Sequence, residues 1–269
     1  MKHRFEGMLL ASDFDGTLLD SDSAVSRENR EALDYFTANG GYFTPATGRI
    51  PSVALPYCME LPVNTPCIFM NGAILYDVIA DKVIERSSLP RDALRLVETV
   101  MEEFPSLGVE IFTTDGAYVA QLSEVTKWHF GGLHLPINRV NARELLPLES
   151  WCKLNLTGDT ALLSQVKTFL RPWQADFEMS SSYPLFWEIT GRGIDKGAAV
   201  LRVAEQMGVS RDRIFTIGDS YNDTSMLRIA AHAFAPANAE RELLEIAHTV
   251  VSHHDKHALC DVVAALENL

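Results

Sequence analysis

The C-terminal third of the chain alternates between two hydrophobic periodicities, and this alternation restricts the folds open to it. Helical spacing over 195–207 stops at Gly208, and a short apolar run follows at 213–217. The pair then repeats as helix 222–229, strand 232–235, helix 239–247, strand 249–251 and helix 257–266. Near the N-terminus, Met8-Leu9-Leu10-Ala11 reads as a buried strand. Residues 26–39 read as a helix with Ser26 as N-cap and Gly40-Gly41 as its stop. Strands are expected at 42–47, in spite of Pro45, and at 67–70, and a hairpin-like stretch at 74–84. Strands separated by helices predict an α/β fold, a doubly wound, Rossmann-like parallel sheet whose working loops lie at the carboxyl ends of its strands.

Residues 86–188 break this rhythm. An amphipathic helix over 91–104, strands at 109–113, 117–120 and 152–156, a second amphipathic helix at 159–170, and strands at 176–179 and 185–189 predict an inserted α+β domain. The expected division is a catalytic core of 1–85 and 189–269 with an insert of 86–188. The aromatic patch Trp128-His129-Phe130 lies in the insert. With Tyr183, Phe186, Trp187 and Glu188 it supplies candidates for ligand contact, with packing inside the insert as the alternative.

Two acidic motifs fall where the loops of the sheet are expected. Asp13-Phe14-Asp15-Gly16-Thr17-Leu18 directly follows the first apolar run. In extended backbone, residues i and i+2 point the same way, so Asp13 and Asp15 are expected to face one small site. Two like charges that close call for a cation or a shared proton. The second motif, Gly218-Asp219-Ser220-Tyr221-Asn222-Asp223, follows the run 214–217, and Asp219 or Ser220 also suits a helix N-cap. Carboxylates at the ends of two parallel strands fit a hard divalent cation such as magnesium, which takes oxygen ligands.

These motifs resemble those of the haloacid dehalogenase superfamily of phosphohydrolases, whose four motifs occur here in order: Asp13 to Leu18, Thr47 in Thr47-Gly48-Arg49, Lys196 in Gly193-Ile194-Asp195-Lys196-Gly197, and Gly218 to Asp223. The last motif, the Thr-Gly-Arg form and the position of the insert are similar to the Cof-type subgroup. The resemblance implies that Asp13 is the nucleophile, forming an aspartyl-phosphate, and that Asp15 protonates the leaving alcohol and then activates water. It implies that Asp13, the backbone carbonyl of Asp15, and Asp219 hold Mg2+, with Asp223 orienting that shell. The phosphoryl group would be met by the Phe14 and Gly48 N–H groups, the Thr47 hydroxyl, Lys196 and Asn222. The insert would be a cap that closes over the active site and selects the substrate. Arg49 is left open between a substrate contact and an ion pair.

The same resemblance narrows the reaction. An acid at position 15 implies a phosphatase or a mutase, and a phosphohexose mutase is the alternative, since eukaryotic phosphomannomutases share the late cap position. A non-catalytic phospholigand-binding protein is a further alternative, against which stands the presence of Asp13, Asp15 and Lys196. The expected partner is a small phosphorylated metabolite, sugar phosphates ahead of cofactors such as pyridoxal phosphate or flavin mononucleotide. The sequence leaves the oligomeric state open.

Composition sets the outer bounds. The 269 residues are 47% hydrophobic, enough for one large or two modest cores. The net charge of −13, with no stripe of Lys and Arg, argues against nucleic acid or an anionic membrane surface as partner. Cys58, Cys67, Cys152 and Cys260 are widely spaced, as expected of reduced thiols in a cytoplasmic protein. Lys2, His3 and Arg4 precede an apolar run too short for a signal peptide, and no stretch reaches transmembrane length.

Overall fold

The computed structural model describes residues 4–145 and 147–269; Lys2 and His3 lie outside them. The chain divides into two units, Met1–Glu85 with Asp195–Leu269, and Arg86–Ile194. In the first unit a five-stranded sheet runs in the order Thr249–Val251, His232–Pro236, Ile214–Ile217, Leu9–Ser12, Tyr42–Pro45, with every neighbouring pair parallel. This is the expected doubly wound α/β sheet. Leu9–Ser12 is an interior strand, between Ile214–Ile217 and Tyr42–Pro45, and both of its faces are apolar. Leu9 and Ala11 join a core with Val200, Val203 and Met226, while Leu10, equally buried, points to the other side by the two-residue period. Tyr42–Pro45 is an edge strand, and Pro45 ends it where the lack of an N–H matters least.

The helices of this unit follow their local signals. Ser26 caps Arg27–Ala38 by accepting the Asn29 N–H at 3.2 Å. Asp195 caps Lys196–Met207 by accepting the Ala198 N–H at 2.8 Å, and Gly208 closes that helix at φ 68°. A helix over Pro51–Cys58 was not expected from the sequence; its mark is proline at the first helical position. The stretch Ile74–Asp77 and Lys82–Arg86 joins Cys67–Phe69 in a separate three-stranded sheet.

The second unit carries a five-stranded antiparallel sheet in the order Ala117–Gln121, Gly108–Thr113, Trp151–Thr157, Phe186–Gly191, Phe177–Ser180. Helices Ala93–Glu103 and Thr160–Phe169 bury Leu96, Val97, Val100, Leu163 and Val166 in one core with Val109, Ile111, Leu154 and Leu156 of the sheet. The return boundary falls after Ile194, not after 188. Phe186–Gly191 runs on to pair Thr190 with Glu178 and Gly191 with Phe177, and the Gly193 N–H then donates to Glu178 Oε1 at 3.0 Å. The aromatic patch is helical: Glu124–Gly132, capped by Ser123, which accepts the Thr126 N–H at 3.0 Å. Among the described residues no helix is long and apolar enough to cross a membrane.

Candidate active site

Strand register assembles the site. Ser12 lies opposite Ile217, and the Asp13 N–H extends the ladder to the Ile217 carbonyl at 3.0 Å. The two acidic motifs therefore leave the sheet side by side. On the other flank Ser12 lies opposite Pro45, and the Ala46 N–H donates to the Ser12 carbonyl at 2.8 Å, which carries the chain into Thr47-Gly48-Arg49.

Lys196, the first residue of its helix, is fully buried; its ammonium donates to Asp13 Oδ1 at 2.5 Å and to Asp223 Oδ1 at 2.7 Å. A cation at a helix N-terminus opposes the dipole, and these two carboxylates compensate it. The other oxygen of Asp223 accepts the Asp219 and Ser220 N–H groups at 3.0 and 3.1 Å, fixing the turn of the last motif. Asp219 Oδ1 accepts the Thr17 hydroxyl at 2.8 Å. Gly16 is required beside it: the residue sits at φ 73°, and a Cβ there would meet Asp219 Oδ2 at 2.5 Å.

Asp13, Asp219 and Asp223 thus offer one oxygen each within 4.8 Å of one another, against a single ammonium. Burial, then Asp223 and Asp219, hold the Asp13 carboxyl well above its ordinary range, with Lys196 opposing. Burial and Asp223 push Asp219 up to about 7. Burial alone would lower the Lys196 ammonium, but Asp13 and Asp223 more than reverse that and raise it. The cluster carries more negative charge than its one cation can balance. An all-oxygen donor set with surplus carboxylate charge fits a hard divalent cation.

Asp15 departs from expectation. Its carboxylate is not in this trio; Arg49 grips it through Nε to Oδ2 at 2.9 Å and through a second guanidinium nitrogen to Oδ1. The i, i+2 rule needs a strand, and the strand has ended at Ser12. Phe14–Leu18 is a tight turn closed by the Leu19 N–H on the Phe14 carbonyl at 2.8 Å, and within it the Asp15 carboxylate still raises Asp13 but pairs with Arg49. Arg49 lies 5.1 Å from the Tyr57 ring centroid, and burial is outweighed by Asp15, so its guanidinium is held more basic than usual. Of the two roles left open for Arg49, the ion pair is the one formed in this structure.

Thr47 is buried, and its Oγ1 accepts the Arg49 N–H at 3.1 Å, which leaves its own proton to donate. Phe14 is buried with its ring 5.9 Å from Tyr57. Asn222 turns its Nδ2 to Asn71 Oδ1 at 3.1 Å, and its buried Oδ1 has no partner, so the expected amide donor is engaged elsewhere. Sequence reasoning alone assigns no separate site role to Thr17 or Asn71. Nor does it mark Asn238, whose Nδ2 donates to the Gly16 carbonyl at 2.7 Å; no local pattern signals that role.

Residues 10–263 match the family of haloacid dehalogenase-like hydrolases. The chain belongs to that family, and it is a phosphatase. It is 27% identical over 276 residues to the pyridoxal phosphate phosphatase YbhA of Escherichia coli, covering 95% of this chain and 97% of that one. It is 25% identical over 240 residues to the 5-amino-6-(5-phospho-D-ribitylamino)uracil phosphatase YcsE of Bacillus subtilis, covering 89% and 87%. The fold matches that of the phosphatase BT1666 from Bacteroides thetaiotaomicron with a TM-score of 0.86 at 23% identity, over 98% and 97% of the two chains.

Proposed function

We propose that the chain is a magnesium-dependent phosphatase of small phosphorylated metabolites that works through an aspartyl-phosphate on Asp13. The observation that carries this reading is the buried cluster of Asp13, Asp219 and Asp223 around Lys196, at the ends of two paired parallel strands. Asp13, Asp219 and the Asp15 carbonyl would hold the magnesium ion, which when bound neutralises the repulsion between a carboxylate and a phosphate dianion.

The remaining work falls to the chain itself. A carboxylate oxygen of Asp13 forms a bond to phosphorus as the bond from phosphorus to the ester oxygen breaks, and Asp15 gives its proton to the departing alkoxide. Water then attacks phosphorus, Asp15 takes a proton from it, and the bond to Asp13 breaks to release inorganic phosphate. Lys196 fixes the Asp13 carboxylate and supplies positive charge, while the Thr47 hydroxyl and the N–H groups of Phe14 and Gly48 would meet phosphoryl oxygens. Asp15 must leave Arg49 to do this; its side chain is 57% exposed, so little holds it besides that pair. Sugar phosphates come first as substrates and phosphorylated cofactors second.

Phosphate release from a panel of about a hundred phosphometabolites tests the reading. Turnover should need magnesium, stop in excess chelator and be lost in Asp219→Ala. Phosphorus NMR should show free phosphate appearing as substrate disappears. An isomeric phosphosugar without free phosphate would replace the phosphatase with a mutase.

A further inference from the structure

Three consecutive residues of the first unit have left-handed backbone. Strand Cys67–Phe69 ends in the turn Met70–Gly72, where Met70 sits at φ 51°, Asn71 at φ 55° and Gly72 at φ 96°. Glycine takes up this region freely, and asparagine tolerates it better than most residues. Met70 and Asn71 are both buried, and holding two side-chain-bearing residues there in succession requires surroundings that over-determine them. Strain of this kind gathers at functional sites.

The turn touches each of the three later motifs. The Thr47 N–H donates to the Ile68 carbonyl at 2.9 Å, the Asn71 N–H to the Thr47 carbonyl at 3.1 Å, and the Met70 N–H to the Arg49 carbonyl at 3.0 Å. The Thr47-Gly48-Arg49 loop is therefore tied at both ends to this turn and the strand before it. Gly72 lies against the helix that begins at Lys196: a Cβ there would collide with the Asp195 carbonyl oxygen, and Arg202 donates to the Gly72 carbonyl at 2.7 Å. The side chain of Asn71 reaches the last motif, where its Oδ1 accepts from Asn222 Nδ2 at 3.1 Å.

That last bond has the most to say about function. Asn71 and Asn222 are both buried, so water does not readily replace it. An amide nitrogen carries two protons, of which Asn71 takes one. The bond fixes the plane of the Asn222 amide and so decides where the second proton points. Among the described residues no other bond holds that amide, because Asn222 Oδ1 is buried without a partner. The contact joins residues 151 positions apart, which forming a turn does not by itself require.

We propose that Asn71 is a positioning residue of the phosphoryl site: its main chain holds the loop that bears Thr47 and Gly48, and its amide aims Asn222. The proposal rests on the reading that Thr47, Gly48 and Asn222 meet the phosphoryl group. The strained turn brings one short segment against three motifs, so that their donors are set before substrate arrives.

Asn71→Gly isolates the amide, because glycine keeps the main-chain N–H and adopts left-handed backbone freely. In the full chain with magnesium, this variant should raise the KM for p-nitrophenyl phosphate and the inhibition constant of inorganic phosphate by about fivefold, the effect of one lost hydrogen bond. Its kcat should stay within about twofold of wild type, since the groups are lost to bound substrate and transition state alike. Destabilisation alone, read separately from the urea midpoint, would lower the active fraction and the apparent kcat and leave both constants unchanged. Asn222→Ala should raise both constants at least as far, and the double variant should be no worse than Asn222→Ala, because Asn71 acts through that amide. Constants within about 1.5-fold of wild type in Asn71→Gly while Asn222→Ala raises them, less than a lost hydrogen bond, would overturn the proposal and leave Asn222 in the phosphoryl site. Additive effects in the pair would overturn it in the same way. Constants unchanged in both single variants would instead remove Asn222 from the phosphoryl site, and the positioning role of Asn71 with it.

Discussion

Lys196→Met is the most revealing single change, because it removes a charge while keeping the length and packing of the side chain. In the wild type the ammonium is fully buried and touches Asp13 at 2.5 Å and Asp223 at 2.7 Å. Its removal leaves two carboxylates facing each other with no cation, and with Asp219 nearby the local charge becomes that of three carboxylates. Breaking a buried pair by deleting one partner costs about 3–5 kcal/mol. Protonation of the carboxylates can return part of this, so the lower end is expected in metal-free buffer. Intrinsic fluorescence is a poor probe, since all four tryptophans (Trp128, Trp151, Trp173, Trp187) lie in the second unit. Hydrogen exchange of peptides covering Leu9–Ser12 and Ile214–Ile217, measured across urea, reads the right unit. Asp223→Asn in the Lys196→Met background should restore part of the loss, with a coupling of about 0.5–3 kcal/mol. A loss under about 1 kcal/mol in the single variant, well below the range for broken buried pairs, or strictly additive losses in the pair, would refute the claim that these charges form one buried unit.

Four further outcomes follow from the same structure. Asp15→Asn should lose about 10²–10⁴-fold of turnover on a sugar phosphate and accumulate phosphorylated Asp13, seen as one added phosphoryl mass after acid quench; turnover near wild type would remove Asp15 as the proton shuttle. Arg49→Gln should cost less than about 1 kcal/mol in urea denaturation, because its partner Asp15 is 57% exposed; a larger loss would mean that Arg49 supports the fold through Tyr57 instead. Gly16→Ala should destabilise by about 1–2 kcal/mol from its left-handed backbone alone and should also abolish activity, since its Cβ reaches Asp219 Oδ2 at 2.5 Å; an active, stable variant would contradict the packing of that turn. Cys58, Cys67 and Cys152 are buried free thiols, with Cys67 raised by its hydrogen bond with the Cys58 thiol and by burial and Cys152 pushed up to about 11 by burial, so a thiol reagent at neutral pH should label Cys260 first; rapid labelling of the other three in folded protein would show that the cores open.

The sequence by itself determined the sheet and the ends of its strands. The apolar run before Asp13 and the one before Gly218 could only be buried strands, and the helical periods between them forced parallel neighbours. Caps such as Ser26 and Gly208 act within a few residues, which makes them readable from the order of residues. The acidic motifs could therefore be placed at strand ends, and Lys196 at a helix start, before any distance was known. Tertiary structure decided what those side chains meet. The pairing of Asp15 with Arg49 forms within a turn that begins where the strand stops, and it spans 34 residues of chain. The Thr17 bond to Asp219, the Asn238 bond to Gly16 and the Asn71 bond to Asn222 join residues 202, 222 and 151 positions apart, distances at which no local pattern survives. A polar row of Glu110, Asn155 and Glu188 in the second unit is likewise a product of register: each lies singly among apolar residues of its own strand, and only the alignment of three strands makes them neighbours.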